Sequence, residues 1–395
     1  MNNIIKNSIE SISYKISRKI DMKCIGAVLT AFIITRVMVC IVVLFSMIQL
    51  PVLSGEGLWR LDTQNLIQDG LTRWDSGWYI GIVQNGYSSK SVAFFPLYPI
   101  LMRMLNRITG SSSISGLLIA NLSFFLALFY LYAITKQDYD DNTAGRAVFY
   151  IAAAPSAFFF STVYTESLFL LFVTAGFYYA RKRKWGLACI AGALASATRI
   201  TGVLVGVFIL FEAFWQKGIR FLPKPWSVRN QIDLLRKDIG ILPQTIKGII
   251  ASIFSVTGIV AYMAYLYREF GDPLAFLHVQ GSWGRSVGFD WFLRILQDHS
   301  QKLDIFFTIV FIPIVIITFI KFRPSYGLFT LLSFMIPLLS GSILSMRRFV
   351  IVFVPCYILL ALWGKKLWVD RLIIGISLPL QAYFVVLFSH WYFAG

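Results

Sequence analysis

Apolar positions along this chain come in long runs instead of alternating with polar ones. The runs fall near 24–48, 114–135, 147–163, 166–180, 185–199, 201–216, 247–267, 303–320, 325–344, 348–364 and 371–392. A helix needs about 20 predominantly apolar residues to cross a bilayer. The pattern predicts an all-α polytopic membrane protein with about eleven transmembrane helices. Several runs are short for a crossing. Only Tyr164-Thr165-Glu166 parts the third from the fourth, and only Arg199-Ile200-Thr201-Gly202 parts the fifth from the sixth. The first run has no small-residue cleavage site after it and reads as a retained span, not a signal peptide. The whole of 1–395 is expected to be one transmembrane domain. It has a first outer loop at 50–113, a basic inner loop at 217–246 and a second outer loop at 268–302. Within the first loop, Pro96 to Ile108 carries Arg103 and Arg107 on one flank, as an amphipathic helix lying in the interface would.

Composition agrees with the pattern. Of the 395 residues 57% are hydrophobic and 14% charged, against about 25% charged in soluble domains. The net charge of +17 would suggest nucleic-acid binding in a soluble protein. Here the distribution explains it better. With the N-terminus inside, 23 basic residues fall in inner segments and 12 in outer ones, with Arg36 inside the first span. Lys and Arg gather on the cytoplasmic side of membrane proteins, so a lipid bilayer is the expected partner and nucleic acid is not. Cys24, Cys40, Cys189 and Cys356 are scattered through apolar segments with no metal-ligand spacing. His278, His299 and His390 do not cluster. No cofactor is expected, and a divalent metal has no ligand spacing to support it.

Polar motifs without the look of charge decoration all fall on the outer side. The first is Arg73-Trp74-Asp75-Ser76-Gly77-Trp78-Tyr79. Asp75, ringed by Trp74, Trp78 and Tyr79, can take a proton from a hydroxyl, and such aromatics suit the faces of a sugar. Desolvation would raise its pKa and a cation such as Arg73 would lower it. The plainer reading is an interfacial aromatic belt with an incidental acid. Glu166 is either a site residue or an ordinary helix-start acid behind a capping Thr165. Asp69 can pair with Arg60 or Arg73 as a surface charge. Asp272, before Pro273, can simply start a turn. Trp283 lies in the second outer loop. Arg199, Arg347 and Arg348 sit at predicted membrane edges, where a guanidinium fork matches phosphate geometry or else snorkels to headgroups. Arg36 is expected to pair with a neighbouring span.

At these residues the chain resembles the PIG-V-like mannosyltransferases, the family of GPI mannosyltransferase II and its prokaryotic relatives, in the GT-C class of multispan glycosyltransferases. The matching pieces are Arg73-Trp74-Asp75, Asn85-Gly86-Tyr87 and Ala93-Phe94-Phe95-Pro96-Leu97-Tyr98-Pro99. They continue with Ala154-Pro155-Ser156, Tyr164-Thr165-Glu166-Ser167, Thr198-Arg199-Ile200-Thr201-Gly202, Phe270-Gly271-Asp272-Pro273 and Ser345-Met346-Arg347-Arg348-Phe349. The resemblance implies a GT-C-like bundle and a sugar donor carried on a polyprenyl phosphate. It also implies a lipid or glycan acceptor and inverting transfer on the extracytoplasmic or lumenal side. Asp75 matches the position of the general base. Arg347, Arg348 or Arg199 would stabilise the phosphate, with Arg73, Trp74, Trp78, Tyr79, Glu166, Asp272 and Trp283 as further substrate contacts. Outer loops shorter than in eukaryotic members point to a prokaryotic plasma membrane, with the endoplasmic reticulum as the alternative. The sequon Asn121-Leu122-Ser123 falls inside a predicted span. A lipid or sugar transporter is the competing class. It would place polar residues at mid-membrane in inverted repeats, and no such repeat is visible.

Overall fold

The computed structural model describes residues 22–55, 58–61, 63–219, 243–283, 302–340 and 342–394. It is all-helical over these residues. In chain order the helices are α1 (Met22–Gln49), α2 (Leu66–Gly70), α3 (Ser76–Asn85), α4 (Leu97–Thr109), α5 (Ser112–Lys136) and α6 (Asp141–Ala153). Then come α7 (Glu166–Arg181), α8 (Trp185–Thr198), α9 (Val203–Gln216), α10 (Pro243–Phe254), α11 (Thr257–Phe270) and α12 (Ala275–His278). The last are α13 (Lys302–Lys321), α14 (Pro324–Leu339), α15 (Met346–Phe349), α16 (Val354–Trp363) and α17 (Leu367–Ser389). Much of the 217–246 and 268–302 loops lies outside the described residues.

Each expected apolar run falls on a helix, but the lengths differ. Among the described residues five helices are long and apolar enough to cross a membrane: Met22–Gln49, Ser112–Lys136, Gln244–Phe270, Lys302–Lys321 and Leu367–Ser389. A sixth span arises if Met346–Val352 and Val354–Trp363, bent by 78°, count as one. The remaining runs form helices below the length of a simple crossing, completed by 3-10 turns at Ala157–Ser161 and Ile200–Gly202. The expected 147–163 span is corrected most. Its helix begins earlier, because Asp140 accepts the Thr143 N–H at 2.7 Å as a cap. It stops at Ala153, ahead of Pro155, whose ring nitrogen has no N–H to give.

Breaking a helix inside an apolar bundle leaves carbonyls that lipid cannot satisfy. Side chains from other helices satisfy them here. Arg36 of α1 donates to Ser161 Oγ at 2.8 Å, to the Ala157 carbonyl at 3.2 Å and to the Ala152 carbonyl at 3.4 Å. Gln381 of α17 donates to the Ala152 and Ala154 carbonyls at 3.1 and 2.9 Å. Arg36 thus meets neighbouring helices as expected, through carbonyls and a hydroxyl. Its guanidinium also lies over the Phe124 ring.

Helix packing uses small residues where backbones approach. α11 rides on α8 at Gly258, where a Cβ would lie 2.0 Å from the Ala193 carbonyl oxygen. The α8–α9 reversal closes at Gly202, whose Cβ would meet the Ala195 backbone at 2.2 Å. α7 packs between α5 and α8, and Phe177 stacks on Phe208 of α9 at 3.7 Å. At the far end of α7, Arg181 holds Asp138 in a two-point bond at 2.7 and 2.8 Å. Buried Glu212 accepts from Ser325 at 2.7 Å, Gln216 at 2.9 Å and Arg323 at 3.2 Å. α5, α7, α9 and α14 are therefore tied together at the end opposite Glu166.

The expected amphipathic helix is α4. Ile100, Met104 and Ile108 are exposed while Tyr98 and Met102 are buried. Arg103 is not a free flanking charge. It donates to the Ile82 and Val83 carbonyls at 2.8 and 3.2 Å near the end of α3.

The first loop is anchored by a buried ion pair. Arg73 is wholly enclosed and donates to both oxygens of Asp69, at 2.6 and 2.7 Å, and to the Ser389 carbonyl at 3.2 Å. Arg60 joins Asp69 from the exposed side at 2.8 Å. Asp69, read as a possible surface charge, is an interior one. Burial pushes its carboxyl up, but the bonds and charge of Arg73, the Arg60 bond and the Leu61 N–H outweigh this and hold it below the usual range.

Two outcomes follow for thermal unfolding in detergent. Asp69→Asn strands Arg73 in the interior and costs about 3–5 kcal/mol. Because the folded carboxyl is the stronger acid, its contribution is full above the ordinary aspartate range and is lost as pH falls through the depressed value. Wild-type protein therefore loses stability at acid pH to a greater degree than Asp69→Asn. Gly202→Ala forces backbone against backbone and costs about 1–3 kcal/mol or more. An unchanged Tm for it would contradict the close approach at Ala195.

Candidate functional site

The loop motifs converge on one cavity of about 640 Å³ at one end of the bundle. That is within the range of small-molecule sites, roughly 300–1,000 Å³. Trp74, Asp75 and Tyr79 come from the first loop and α3. Tyr164, Thr165 and Glu166 come from the start of α7, and Arg199 from the α8–α9 reversal. Arg348 comes from α15. The remaining wall is apolar, with Phe276 and Leu277 of α12, Ile336 and Pro337 of α14, and Phe349 and Phe353 beyond it.

Asp75 stands at the N-terminus of α3 but makes no capping bond with its side chain. The residue before it, Trp74, is left-handed at φ 54°, a conformation costly to a bulky residue and often kept where it aims a neighbour. The Trp74 ring is clamped by Trp391 and Phe393, with centroids at 5.4 and 5.7 Å. The Asp75 N–H donates to the Tyr164 hydroxyl at 3.1 Å. Burial, and then the Asp75 charge, pushes the Tyr164 phenol well above its ordinary range, so it stays protonated.

The cation beside Asp75 is Arg348, not Arg73. Arg348 Nη1 donates to Asp75 Oδ2 at 2.7 Å. Its Nε lies 3.4 Å from Glu166 Oε1, which also accepts from Arg199 Nη1 at 2.9 Å. Asp75, Arg348, Glu166 and Arg199 thus form a line of alternating charge that sums to zero. Glu166 is 1% exposed, and its Oε2 has no hydrogen-bond partner among the described residues. Thr165 makes no capping bond, while Glu166 does stand in the first turn of α7 as a helix-start acid would. The Arg348 guanidinium lies over the rings of Tyr164, Phe349 and Phe159, at 5.3, 5.7 and 5.8 Å.

The other sequence candidates lie elsewhere. Arg73 is spent on Asp69. Trp78, on the first turn of α3, stacks on the wall residue Phe94 but does not itself line the cavity. Arg347 points away from it. Its Nε is 3.4 Å from Asp304 Oδ1 on α13, which also accepts the Arg347 N–H at 3.1 Å. Adjacent residues on one turn of α15 cannot share a direction. Asp272 behaves as a turn residue: its carboxylate accepts the Leu274 N–H at 2.9 Å and faces His278 Nδ1 at 2.7 Å. Its downstream neighbours Phe276 and Leu277 reach the cavity instead. The Trp283 side chain lies outside the described residues. Among the described residues no three His, Cys, Asp or Glu side chains come together as metal ligands.

Sequence reasoning missed Tyr164 as a direct neighbour of Asp75, and Trp391, Phe393 and Asp304 as supports. Tyr164 had a signal, standing two residues before Glu166 in a matched motif. Nothing local marked the other three.

The family model described as "Mannosyltransferase (PIG-V)" matches residues 59–286, which include Asp75, Glu166 and Arg199 but stop short of Arg348. GPI mannosyltransferase 2 of Cryptococcus neoformans var. neoformans is 28% identical over 186 residues, 41% of this chain and 43% of that protein. GPI alpha-1,6-mannosyltransferase 2 of Cricetulus griseus is 31% identical over 157 residues, 36% of this chain and 31% of that one. The aligned segments thus span less than half the length of these relatives. Among solved structures, the oligosaccharyltransferase of Archaeoglobus fulgidus aligns with a TM-score of 0.48 and 13% identity, over 92% of this chain and 53% of that chain. A second structure of an archaeal oligosaccharyltransferase from the same organism, bound to an inhibitory peptide and a dolichol-phosphate, gives 0.48 and 13%, over 93% and 56%. With more than half of its residues matched by the family model, this multi-pass membrane chain belongs to the PIG-V mannosyltransferase family.

Proposed function

We propose that the protein is a membrane glycosyltransferase of the mannosyltransferase type. It moves a sugar from a polyprenyl-phosphate donor to an acceptor hydroxyl, with inversion, using Asp75 as general base. The observation that carries this reading is the Asp75 carboxylate in the wall of the cavity, 2.7 Å from an arginine fork and backed by a second carboxylate–arginine pair. Family membership supports it, whereas a transporter draws nothing from that family.

In the proposed step the acceptor O–H gives its proton to Asp75. The hydroxyl oxygen bonds the anomeric carbon from the face opposite the phosphate. The bond from that carbon to the phosphate oxygen breaks, and its electron pair leaves on the oxygen. Negative charge grows on the phosphate, where Arg348 and Arg199 are the guanidinium groups at hand. Trp74 and Tyr79 supply aromatic surface for the sugar, and the wall of Phe276, Ile336 and Pro337 suits an isoprenoid chain. Glu166 Oε2 can accept from a substrate hydroxyl.

The proposed active face is extracytoplasmic or lumenal, because the cavity lies opposite the cluster of Arg181, Arg323, Asp138 and Glu212, at the expected inner end. A prokaryotic plasma membrane finds no support in the two mannosyltransferase relatives named above, which are eukaryotic; the endoplasmic reticulum is the alternative we propose.

The test is sugar transfer from a panel of polyprenyl-phosphate sugars to lipid and glycan acceptors, with purified protein in lipid. Wild type should transfer from at least one donor, and Asp75→Asn should lose about 10²-fold or more in rate while remaining folded. Wild-type turnover by that variant would remove Asp75 as the base. Among the arginines, Arg348→Ala and Arg199→Ala should each lower kcat/KM by about 10²–10³-fold. Arg347→Ala should instead lower Tm, because it strands Asp304. A selective loss of donor use with unchanged Tm in Arg347→Ala would reverse the assignment.

A further inference from the structure

Arg348 stands where two demands of the proposed reaction collide. A general base needs a carboxylate free to take a proton, and the donor phosphate needs a cation. A guanidinium bonded to Asp75 Oδ2 at 2.7 Å is drawn toward both, since it ties one of the two carboxylate oxygens and commits Nη1, one of its own donors. We propose that the lipid phosphate and Asp75 compete for Arg348, so that arrival of the donor draws Arg348 Nη1 away and frees Oδ2 of the base. This rests on the preceding reading of Asp75 as base and of the cavity as a polyprenyl-phosphate site.

The surroundings of Arg348 fit a side chain that turns on a fixed mount. Its backbone is held, because the neighbouring Arg347 N–H is bonded to buried Asp304 and Met346 is fully buried. Ser345, just ahead of α15, is left-handed at φ 70°, which pins the entry to the turn. The Nε atom faces Glu166 Oε1 at 3.4 Å, and Arg199 independently holds that oxygen in place. Nη1 can leave Asp75 while Nε keeps its counter-charge. Around the guanidinium stand Tyr164, Phe349 and Phe159, whose ring faces attract a cation at many angles.

Charge accounting favours the exchange. The empty line is neutral: two carboxylates face two guanidinium groups. A sugar phosphodiester brings one negative charge. Transfer breaks its sugar–oxygen bond, leaving a phosphomonoester with one more, while the acceptor proton neutralises Asp75. The charge that Arg348 loses at Asp75 reappears on the phosphate, so it always has one close anionic partner. Until the donor binds, Asp75 stays paired through Oδ2 and Arg348 Nη1 is not available to the phosphate.

The test is equilibrium binding of a polyprenyl monophosphate, without sugar, to protein in mixed micelles. A ligand that competes with an internal carboxylate binds better once that carboxylate is neutral. Asp75→Asn should therefore bind polyprenyl monophosphate about 5–10-fold more tightly than wild type, although it no longer transfers sugar. In an Arg348→Gln background the same change should leave affinity unaltered, since coupling needs both partners. Asp75→Ala gives the same reading should the amide disturb the turn after Trp74. Unchanged or weaker binding by a folded Asp75 variant would overturn the exchange, as would a gain that survives in Arg348→Gln. The two readings fail separately. Loss of transfer with unchanged affinity keeps Asp75 as base and removes the exchange. Wild-type transfer by Asp75→Asn removes the base assignment itself.

Discussion

A chain surrounded by lipid cannot leave a backbone carbonyl or N–H without a partner, and this protein breaks its helices nevertheless. α6 ends at Ala153, the α8–α9 reversal turns at Ile200–Gly202, and α15 bends into α16. At two of these breaks polar groups are supplied from elsewhere in the chain. Arg36 and Gln381 cover the carbonyls around Pro155. Asp304 receives the Arg347 N–H where α15 begins. Buried polar side chains from distant positions thus satisfy backbone groups at these breaks.

Charge follows the same economy. Asp69 is shared by Arg73 and Arg60, Glu212 by Arg323 and Arg181, and Glu166 by Arg199 and Arg348. Isolated ions in such surroundings would be expensive, and paired ions at hydrogen-bonding distance are much less so. The consequence is that residue type alone does not separate support from chemistry. Arg73, Arg347 and Arg348 look alike as arginines near a predicted outer edge. Arg73 and Arg347 hold loops in place, and only Arg348 faces the cavity.

That division explains what was legible in the sequence. The apolar runs gave the helical class, because a 3.6-residue period is not needed to recognise a segment that is apolar on all sides. Asp75, Glu166, Arg199 and Arg348 could be singled out as polar residues where polarity is costly. Their convergence could not, since it joins positions 273 residues apart in the case of Asp75 and Arg348. Span lengths were the weaker reading. Hydropathy does not register that Pro155 stops α6, or that Asp140 starts it before the apolar run begins. Trp78 and Tyr79 were grouped because they are adjacent, yet successive helical positions point about 100° apart. Trp78 stacks on the wall residue Phe94 without lining the cavity itself, and Tyr79 lines it.

α7 joins both polar clusters, with Glu166 in its first turn and Arg181 in its last. Its 16 residues make a rod of about 24 Å at about 1.5 Å per residue. Arg181 is bonded to Asp138 at one end and Glu166 to Arg199 at the other, so the rod is held at both ends. Its length therefore sets how far apart the two charge clusters stand, and a single helix carries one member of each.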